Sequence, residues 1–383
     1  MRQWMMHLLL MCGLGSIAGC QQYAPVTIVP TVAPTVAMPL LPQLDLSQVA
    51  SEQSLTTLTA EQLAQVQQFM ARPDLAAMTA QERLGYYLSD VATRYEFHSQ
   101  TTNAQTAFRT HQGNCVTLAL LTKGLADAMQ VPIRFRVTYR DPVLDIHQDI
   151  LISAAHVRSY LDPAASSEHA EAIVIDYFRE SLDYLGAAID HAHFMALAYN
   201  NFAAEALLRH DLPLAKANTV RALQLAPRYV PAVNLMAVLL RREGEVAQAQ
   251  QWYQYGLAVE PTNITLLVNY QYLAQEQQDA ALVQQLQRRI EQLPETDNPY
   301  AWFSLAVQAE RRGDTRLAMH FYKKLLAKAP YLQPANQALL KLLLADGKLA
   351  EARALISTAL QYSYTQDQRQ LFEKKQQALS QLP

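Results

Sequence analysis

Glu243-Gly244-Glu245-Val246-Ala247-Gln248-Ala249 carries a pattern that recurs along the second half of this chain and predicts its fold. Gly313 and Gly347 lie 34 residues apart, and Pro227 and Pro261 are separated by the same interval. Small alanines allow two helices to approach closely, glycines turn the chain between them, and prolines end each pair. The 34-residue period therefore predicts stacked pairs of helices.

This pattern resembles the tetratricopeptide repeat, and an irregular helical bundle is the alternative. We expect about five repeats over residues 191–365, with units that begin near residues 196, 230, 264, 299 and 333, and a C-terminal helical cap over residues 366–383. The third unit is the least regular, because Gln278-Asp279 stands where other units put glycine. The resemblance implies a concave groove that binds a protein or peptide partner.

The beginning of the chain has the layout of a secretory signal. A basic residue precedes an uncharged apolar run over residues 4–14, which is too short to cross a bilayer. Ile17-Ala18-Gly19-Cys20 resembles the bacterial lipobox. That resemblance implies that residues 1–19 are removed together with Cys12, and that the lipidated Cys20 binds the chain to a membrane. An ordinary signal peptide that ends near a cysteine is the alternative.

The residues after Cys20 predict a location and a tether. Gln21 follows the lipobox cysteine, and the absence of aspartate at this position in a lipoprotein favours the outer membrane, on its periplasmic face. Residues 20–44 are rich in proline and have no helical or strand period. Such a segment stays extended at roughly 3.1 Å per residue and spans roughly 60 to 70 Å. The folded body therefore need not touch the lipid.

The composition and motifs of the sequence exclude several classes of partner and cofactor. The 383 residues include 31 Lys and Arg against 34 Asp and Glu, without a basic cluster, which argues against nucleic acid as a partner. The sequence has no set of His, Cys and carboxylates with metal-ligand spacing, no phosphate loop and no dinucleotide fingerprint. We therefore expect neither a cofactor nor a metal. Only Cys115 remains in the mature body, so an intramolecular disulfide is excluded.

Residues 45–190 predict a mixed domain of helices and strands. Thr59-Ala60-Glu61-Gln62 and Thr79-Ala80-Gln81-Glu82 have the spacing of capping boxes, so each opens a helix. Gly113-Asn114 supplies a tight turn and a cap, so a mostly buried helix begins at Cys115. We expect strands over residues 133–139, 149–153, 155–161 and 172–177, and a polar loop over residues 142–148.

Cys115 falls at the first turn of that helix, where free amides and the helix dipole stabilise a thiolate over a thiol. The segment Gly113-Asn114-Cys115-Val116-Thr117-Leu118-Ala119-Leu120-Leu121 resembles the Arg-Gly-Asn-Cys, Leu-Ala-Leu-Leu segment of bacterial transglutaminase-like proteins. Cys115, His156 and Asp176 also follow the order of the catalytic residues in that superfamily. The resemblance covers roughly residues 80–180. It implies an α+β transglutaminase-like (papain-type) domain, followed here by the all-α tetratricopeptide-repeat solenoid.

The resemblance also implies a division of labour. Cys115 would attack an amide or ester carbonyl, His156 would transfer the proton, and Asp176 would hold the imidazole in the useful tautomer. The backbone amide of Cys115 is the first oxyanion donor, and the side chain of Gln112 is a candidate second donor. Gln112 as a plain turn residue is the alternative.

Each assignment has a competitor. Cys115 as a small buried hydrophobic residue is the structural alternative to a nucleophile. His111 and His147 compete for the role of base, but His111 is too near Cys115 along the chain and His147 falls in the predicted polar loop. Asp162 competes with Asp176, although Asp162 precedes a proline and suits a turn. Val157-Arg158-Ser159-Tyr160 lacks the early aromatic residue that many family members have after the histidine, which leaves room for an inactive relative.

Two functions follow from these expectations. The first is a membrane-anchored periplasmic cysteine hydrolase, peptidase or acyl transferase that works through a Cys115 thioester on an envelope protein or peptide recruited by the repeats. The second is a catalytically inactive tethered scaffold whose repeats assemble an envelope protein complex. The three candidate residues favour the enzyme, and the repeats suit either function.

Overall fold

A computed structural model describes residues 36–97, 100–147, 150–163, 171–176, 186–291, 299–311, 313, 315–363 and 365–380. Residues 1–35 lie outside this range; they contain the predicted signal peptide with Cys12, the predicted lipidation site Cys20 and most of the predicted tether. In the described part of the chain, no helix combines the length and apolarity that a membrane span requires.

Three helices lead into the first part of the chain. They are α1 (Glu52–Thr56), α2 (Ala60–Met70) and α3 (Ala80–Arg94), with a single 3-10 turn at Pro73–Leu75 between the last two. Both predicted capping boxes are confirmed. At the start of α2, the Thr59 hydroxyl accepts from the amide of Gln62 at 3.1 Å, and the Gln62 side chain accepts from the amide of Thr59 at 3.0 Å.

The helix that begins at Cys115 is also present. A short strand β1 (Glu96–Phe97) and helix α4 (Ala104–Thr110) precede it, and β2 (Gln112–Gly113) pairs in parallel with β1. The helix, α5 (Cys115–Ala128), is buried on almost every side, as its continuous apolar sequence predicts. It is therefore the central helix of this part of the chain.

Four strands form one antiparallel sheet in the order β5-β4-β3-β6. They are β3 (Ile133–His147), β4 (Ile150–Leu161), β5 (Ile173–Ile175) and β6 (Ala187–Ile189). The predicted loop over residues 142–148 is wrong, because β3 continues to His147 and pairs there with Ile150. The register shifts between Thr138 and Val143. That irregularity accommodates Pro142, which has no backbone N–H to donate to the neighbouring strand. It also interrupts the alternation of apolar and polar residues, so the alternation did not predict the full length of the strand.

The second half of the described chain consists of antiparallel helix pairs. They are α6 (His191–Leu208) with α7 (Leu212–Leu225), α8 (Val230–Arg242) with α9 (Val246–Val259), α10 (Ile264–Glu276) with α11 (Ala280–Glu291), α12 (Pro299–Arg311) with α13 (Thr315–Lys328), and α14 (Gln333–Ala345) with α15 (Leu349–Gln361). Helix α16 (Gln366–Ser380) packs on α15. Four units start where the period predicts, and the first starts at His191 instead of near residue 196. The tetratricopeptide solenoid is confirmed.

The turn between the helices of a pair needs a left-handed residue. Gly244, Gly313 and Gly347 hold φ angles of 81°, 75° and 71°. The first and third pairs use His210 and Gln278 at the same place, with φ angles of 63° and 57°. A side chain is strained in this conformation, so the turn geometry is imposed by the packing of the helices around it.

One hydrophobic core joins the sheet to the first helix pair. Phe135 and Val137 of β3 and Val157 of β4 belong to the same buried cluster as Phe194 of α6 and the core of the solenoid. The rings of Phe135 and Phe194 stack with their centroids 3.9 Å apart and their planes within 5°. The chain therefore passes from the α+β part into the repeats without an interruption of the core.

The end of the predicted tether belongs to the folded body. Met38 and Leu41 are partly buried against the same core. The Tyr199 hydroxyl of α6 donates to the carbonyl of Ala50 at 2.7 Å, and Glu52 contacts Arg221 of α7 at 2.9 Å. The N-terminal segment therefore packs on the core from Met38 onward and is held to the first helix pair at Ala50 and Glu52.

Candidate active site

The site is built on the first turn of α5. Asn114 caps the helix, since its Oδ1 accepts from the amide of Thr117 at 2.9 Å, and its Nδ2 donates to the Thr101 hydroxyl at 2.8 Å. Both contacts are buried. Cys115 is the first residue of the helix and is partly exposed. The sulfur thus lies where the free amides of a helix start stabilise negative charge.

The turn before Cys115 has room for glycine only. Gly113 has a φ angle of 151°, and a Cβ atom there would lie 2.5 Å from Cγ2 of Thr117 and 2.8 Å from the Tyr95 hydroxyl oxygen. That hydroxyl donates to the carbonyl of Gln112 at 3.0 Å. Burial, and the nearby Cys115, raise the pKa of Tyr95, so Tyr95 stays protonated as a donor. Tyr95 and Gly113 together fix the backbone that presents Cys115.

His156 lies on β4, opposite Thr138 of β3 in the register, and is 7% exposed. Its Nε2 lies 2.6 Å from Oδ1 of Asp176, the residue that directly follows β5. The His156 side chain is also hydrogen-bonded to Cys115. Adjacent strands of one sheet therefore bring the imidazole and the carboxylate together, and α5 brings the sulfur to them.

The environment of His156 favours the imidazolium form. Burial lowers the pKa of His156, but the hydrogen bond to Asp176 and the hydrogen bond and charge of Cys115 outweigh burial and raise this pKa to about 9. The ring therefore carries a proton at neutral pH and donates to Asp176 and to Cys115. His156 can therefore give a proton to the leaving group of a substrate bound at Cys115.

Arg158 is a site residue that we did not predict. It is 5% exposed, and its Nε donates to Oδ2 of Asp176 at 2.6 Å. Asp176 is thus held through one oxygen by His156 and through the other by Arg158. Side chains two residues apart on a strand point to the same face of the sheet. The spacing of Arg158 from His156 could therefore have predicted that both side chains lie near the same carboxylate.

The competing residues occupy other places. The side chain of Gln112 is exposed and donates to Oε2 of Glu96 at 3.1 Å. Asp162 accepts two hydrogen bonds from Arg134, at 2.5 and 2.7 Å. His111 ends α4 with a φ angle of 52°. The structure thus brings Cys115, His156 and Asp176 together, while Gln112 and Asp162 have partners elsewhere.

The chemistry that these residues support is acyl transfer to sulfur. A partly exposed sulfur, a protonated imidazole and a carboxylate held through both oxygens are the components of a nucleophile, its proton carrier and the group that orients the carrier. Among the residues that the structure describes, no group of three or more His, Cys, Asp or Glu side chains is placed to hold a metal ion.

No family model and no curated protein matches this chain. Similar solved structures include pilF of Pseudomonas aeruginosa, at 17% identity and a TM-score of 0.35, over 50% of this chain and 89% of that protein. PilW, a type IV pilus biogenesis factor, matches at 16% identity and a TM-score of 0.32, over 49% of this chain and 94% of PilW. A tetratricopeptide repeat protein of Parabacteroides merdae matches at 18% identity and a TM-score of 0.32, over 48% and 72%.

Proposed function

We propose that this chain is a cysteine-dependent amide hydrolase or acyl transferase, lipid-anchored at the periplasmic face of the outer membrane, that acts on an envelope protein or peptide. The observation that carries the proposal is the contact of His156 with Asp176 at 2.6 Å, together with its hydrogen bond to Cys115. These three side chains come from a helix start, a strand and a strand end that are far apart in the sequence. A purely structural cysteine has no need of such partners.

The proposed reaction proceeds in two halves. The thiol proton of Cys115 resides on His156, so Sγ attacks the carbonyl carbon as a thiolate. A carbon–sulfur bond forms as the carbonyl π bond opens, and the backbone amide of Cys115 stabilises the developing oxyanion. His156 gives its proton to the leaving amine as the carbon–nitrogen bond breaks, which leaves a thioester and a neutral imidazole. Water or a second amine then attacks the thioester and loses a proton to His156, and the thiolate leaves. Asp176 and Arg158 hold the imidazole orientation throughout.

The lipid anchor would set where this reaction occurs. The Ile17-Ala18-Gly19-Cys20 segment and Gln21 favour the outer membrane, and residues 20–37 would remain as the free part of the tether. At roughly 3.1 Å per residue, that segment spans roughly 50 to 60 Å. The helix pairs would recruit the substrate or partner, as solenoids of this kind commonly do through their concave surface.

A second candidate function is a tethered scaffold without catalysis. The observation that favours it is the size of the solenoid, which contributes five helix pairs to the described residues, more than an acyl-transfer site needs for support. In that case the repeats would assemble an envelope protein complex, and the α+β part would be kept for its shape. Cys115, His156 and Asp176 would then be packing residues.

The two candidates differ in the reactivity of Cys115. The test measures how the rate of alkylation of Cys115 by iodoacetamide depends on pH, in the protein from residue 36 onward. The wild type is compared with His156→Ala. The control is His320→Ala, which changes an exposed histidine of α13. We expect substantial reaction of the wild type and of His320→Ala well below pH 8. The midpoint of His156→Ala should move up towards about 8.5, the value of a free cysteine.

An acylation experiment tests the chemistry directly. With p-nitrophenyl acetate, we expect a burst of p-nitrophenolate of about one equivalent and a transient acetyl group on Cys115 in the mass spectrum. Cys115→Ala should give neither. An alkylation midpoint near that of free cysteine, unaffected by His156→Ala and without acylation, would eliminate the enzyme and leave the scaffold.

A further inference from the structure

The first helices of the pairs form one continuous face. Successive first helices contact each other, α6 with α8, α8 with α10, and α10 with α12. Between two of them, the buried side chain of Asn269 on α10 donates to Oδ1 of Asn234 on α8 at 3.0 Å. We call the surface formed by α6, α8, α10, α12 and α14 the inner face. In a solenoid of paired helices, this layer is the one that lines the groove.

A β-hairpin of this chain lies on the inner face. We call residues 138–155, the part of β3 and β4 beyond the base of the hairpin, the arm; its residues 148 and 149 lie outside the described residues. Strand β3 contacts both α6 and α14, and β4 contacts α10. At its base, Phe135 stacks on Phe194 of α6. The hairpin therefore reaches from the first helix pair to the fifth.

The arm also needs a surface to pack on. β5 pairs with β4 only over Ser159 to Leu161, and β6 pairs with β3 only over Phe135 to Val137. Beyond these positions, the strands of the sheet in the described chain are β3 and β4 alone. An isolated two-stranded ribbon is marginally stable in water, so contact with the helices accounts for its formation.

We propose that the arm occupies the groove of the repeats as an intramolecular partner, and that an external peptide binds the inner face only after the arm has left it. The inference rests on the proposed function insofar as the repeats recruit the substrate. It adds a control on that recruitment. His156 pairs with Thr138 at the point where the arm begins, so release of the arm frees the strand next to the proposed base.

The experiment replaces residues 139–155 with Asn-Gly, the sequence preferred in two-residue hairpin turns, which preserves the pairing of Thr138 with His156. The probe is a fluorescein-labelled synthetic peptide of residues 138–156, cyclised through Asn-Gly. Its binding is measured by fluorescence anisotropy to the armless chain and to the full body, both carrying Cys115→Ala. The readout is therefore independent of any reaction at Cys115, so its failure is distinguishable from failure of the proposed enzyme.

We expect the peptide to bind the armless chain with a micromolar Kd and the full body at least 100-fold more weakly, because a tethered arm competes at an effective concentration of about millimolar. Equal binding to both chains, or no binding to an armless chain with native circular dichroism, would overturn the proposal. If the armless chain does not fold, amide hydrogen exchange of the full body is the second measurement.

The proposal is supported if the amides of the arm exchange as slowly as those of β4 near Val157. It is contradicted if they exchange at the rate of a free peptide.

Discussion

The amide of Thr101 donates a hydrogen bond to Oε1 of Glu205 on α6, 2.6 Å away, and so joins the segment before α4 to the first helix of the solenoid. The Thr101 hydroxyl in turn accepts from Nδ2 of Asn114 at 2.8 Å, and Oδ1 of Asn114 accepts from the amide of Thr117 at 2.9 Å. Three hydrogen bonds thus connect a repeat helix with the cap of the helix that presents Cys115. The solenoid supports the candidate site directly.

The first prediction concerns this connection. Glu205→Ala removes the acceptor of a buried amide and should lower the free energy of unfolding by roughly 1 to 2 kcal/mol. It should also slow alkylation of Cys115, because the cap of α5 loses its support. Glu205→Gln keeps an acceptor oxygen and should behave nearly as the wild type. The control is Glu245→Ala, an exposed glutamate of the second pair, and urea denaturation with iodoacetamide kinetics measures both effects. Identical behaviour of the three variants would show that the connection carries no support.

Local parts of the site were predictable from the sequence, and the connection to Glu205 was not. Asn114 as a cap and Cys115 at a helix start follow from residue types a few positions apart. Thr101 and Glu205 are 104 residues apart, and no local pattern pairs them. Likewise, the period of 34 predicted the helix pairs, but the shift in register near Pro142 hid the length of β3 and therefore the arm.

The second prediction concerns Arg158. Arg158→Met leaves one oxygen of Asp176, whose side chain is only 12% exposed, without its donor and should lower the free energy of unfolding by roughly 3 kcal/mol. The matched control is Arg134→Met, because the Nε of Arg134 likewise donates to an aspartate, Asp162, but 53% of the Arg134 side chain is exposed. It should cost less than about 1 kcal/mol.

A double-mutant cycle separates the contact of Arg158 with Asp176 from general damage. Arg158→Met with Asp176→Asn should cost clearly less than the sum of the two single changes, because the second change removes the charge that the first leaves unpaired. Unfolding in urea provides the four free energies. Additive costs would mean that the two side chains are energetically independent despite their distance of 2.6 Å.

The third prediction is a pH dependence of stability. The folded pKa of His156 lies at about 9, above the value of 6.5 for a free histidine, so protonation stabilises the folded chain. The stabilisation is complete below pH 6.5 and is lost as the pH rises through about 9; this shift corresponds to roughly 3 kcal/mol.

Urea unfolding of the wild type at pH 6 to 9.5 should therefore show a decline in free energy that is smaller in Asp176→Asn. NMR of labelled histidines should show one imidazole that titrates near pH 9 in the wild type and at lower pH in Cys115→Ala and in Asp176→Asn. A flat stability profile and an imidazole that titrates near pH 6.5 would contradict the arrangement.

The fourth prediction concerns the shared core. A fragment of residues 36–190 lacks α6 and exposes Phe135 and Val137, which are 4% and 2% exposed in the full chain. We expect it to unfold without cooperativity, whereas a fragment of residues 36–260, with two helix pairs, unfolds cooperatively. Near-ultraviolet circular dichroism during urea unfolding makes the comparison. Cooperative unfolding of the shorter fragment would show that the α+β part is stable by itself.

The fifth prediction uses the irregular third turn. Gln278 takes a left-handed φ angle of 57° at the place where Gly244, Gly313 and Gly347 stand in other pairs. Gln278→Gly should relieve the strain of the side chain and stabilise the chain by roughly 0.5 to 1 kcal/mol, since the extra freedom of glycine in the unfolded chain offsets part of the gain.

The reverse change is its matched control. A Cβ atom on Gly244 would meet nothing within 4 Å, so Gly244→Ala tests the left-handed backbone, with a φ angle of 81°, without a clash. It should destabilise the chain by about 1 kcal/mol. Thermal unfolding followed by circular dichroism measures both variants. If Gln278→Gly destabilised the chain, the Gln278 side chain would have to stabilise the third pair by more than the left-handed backbone costs, and the turn would be adapted to glutamine.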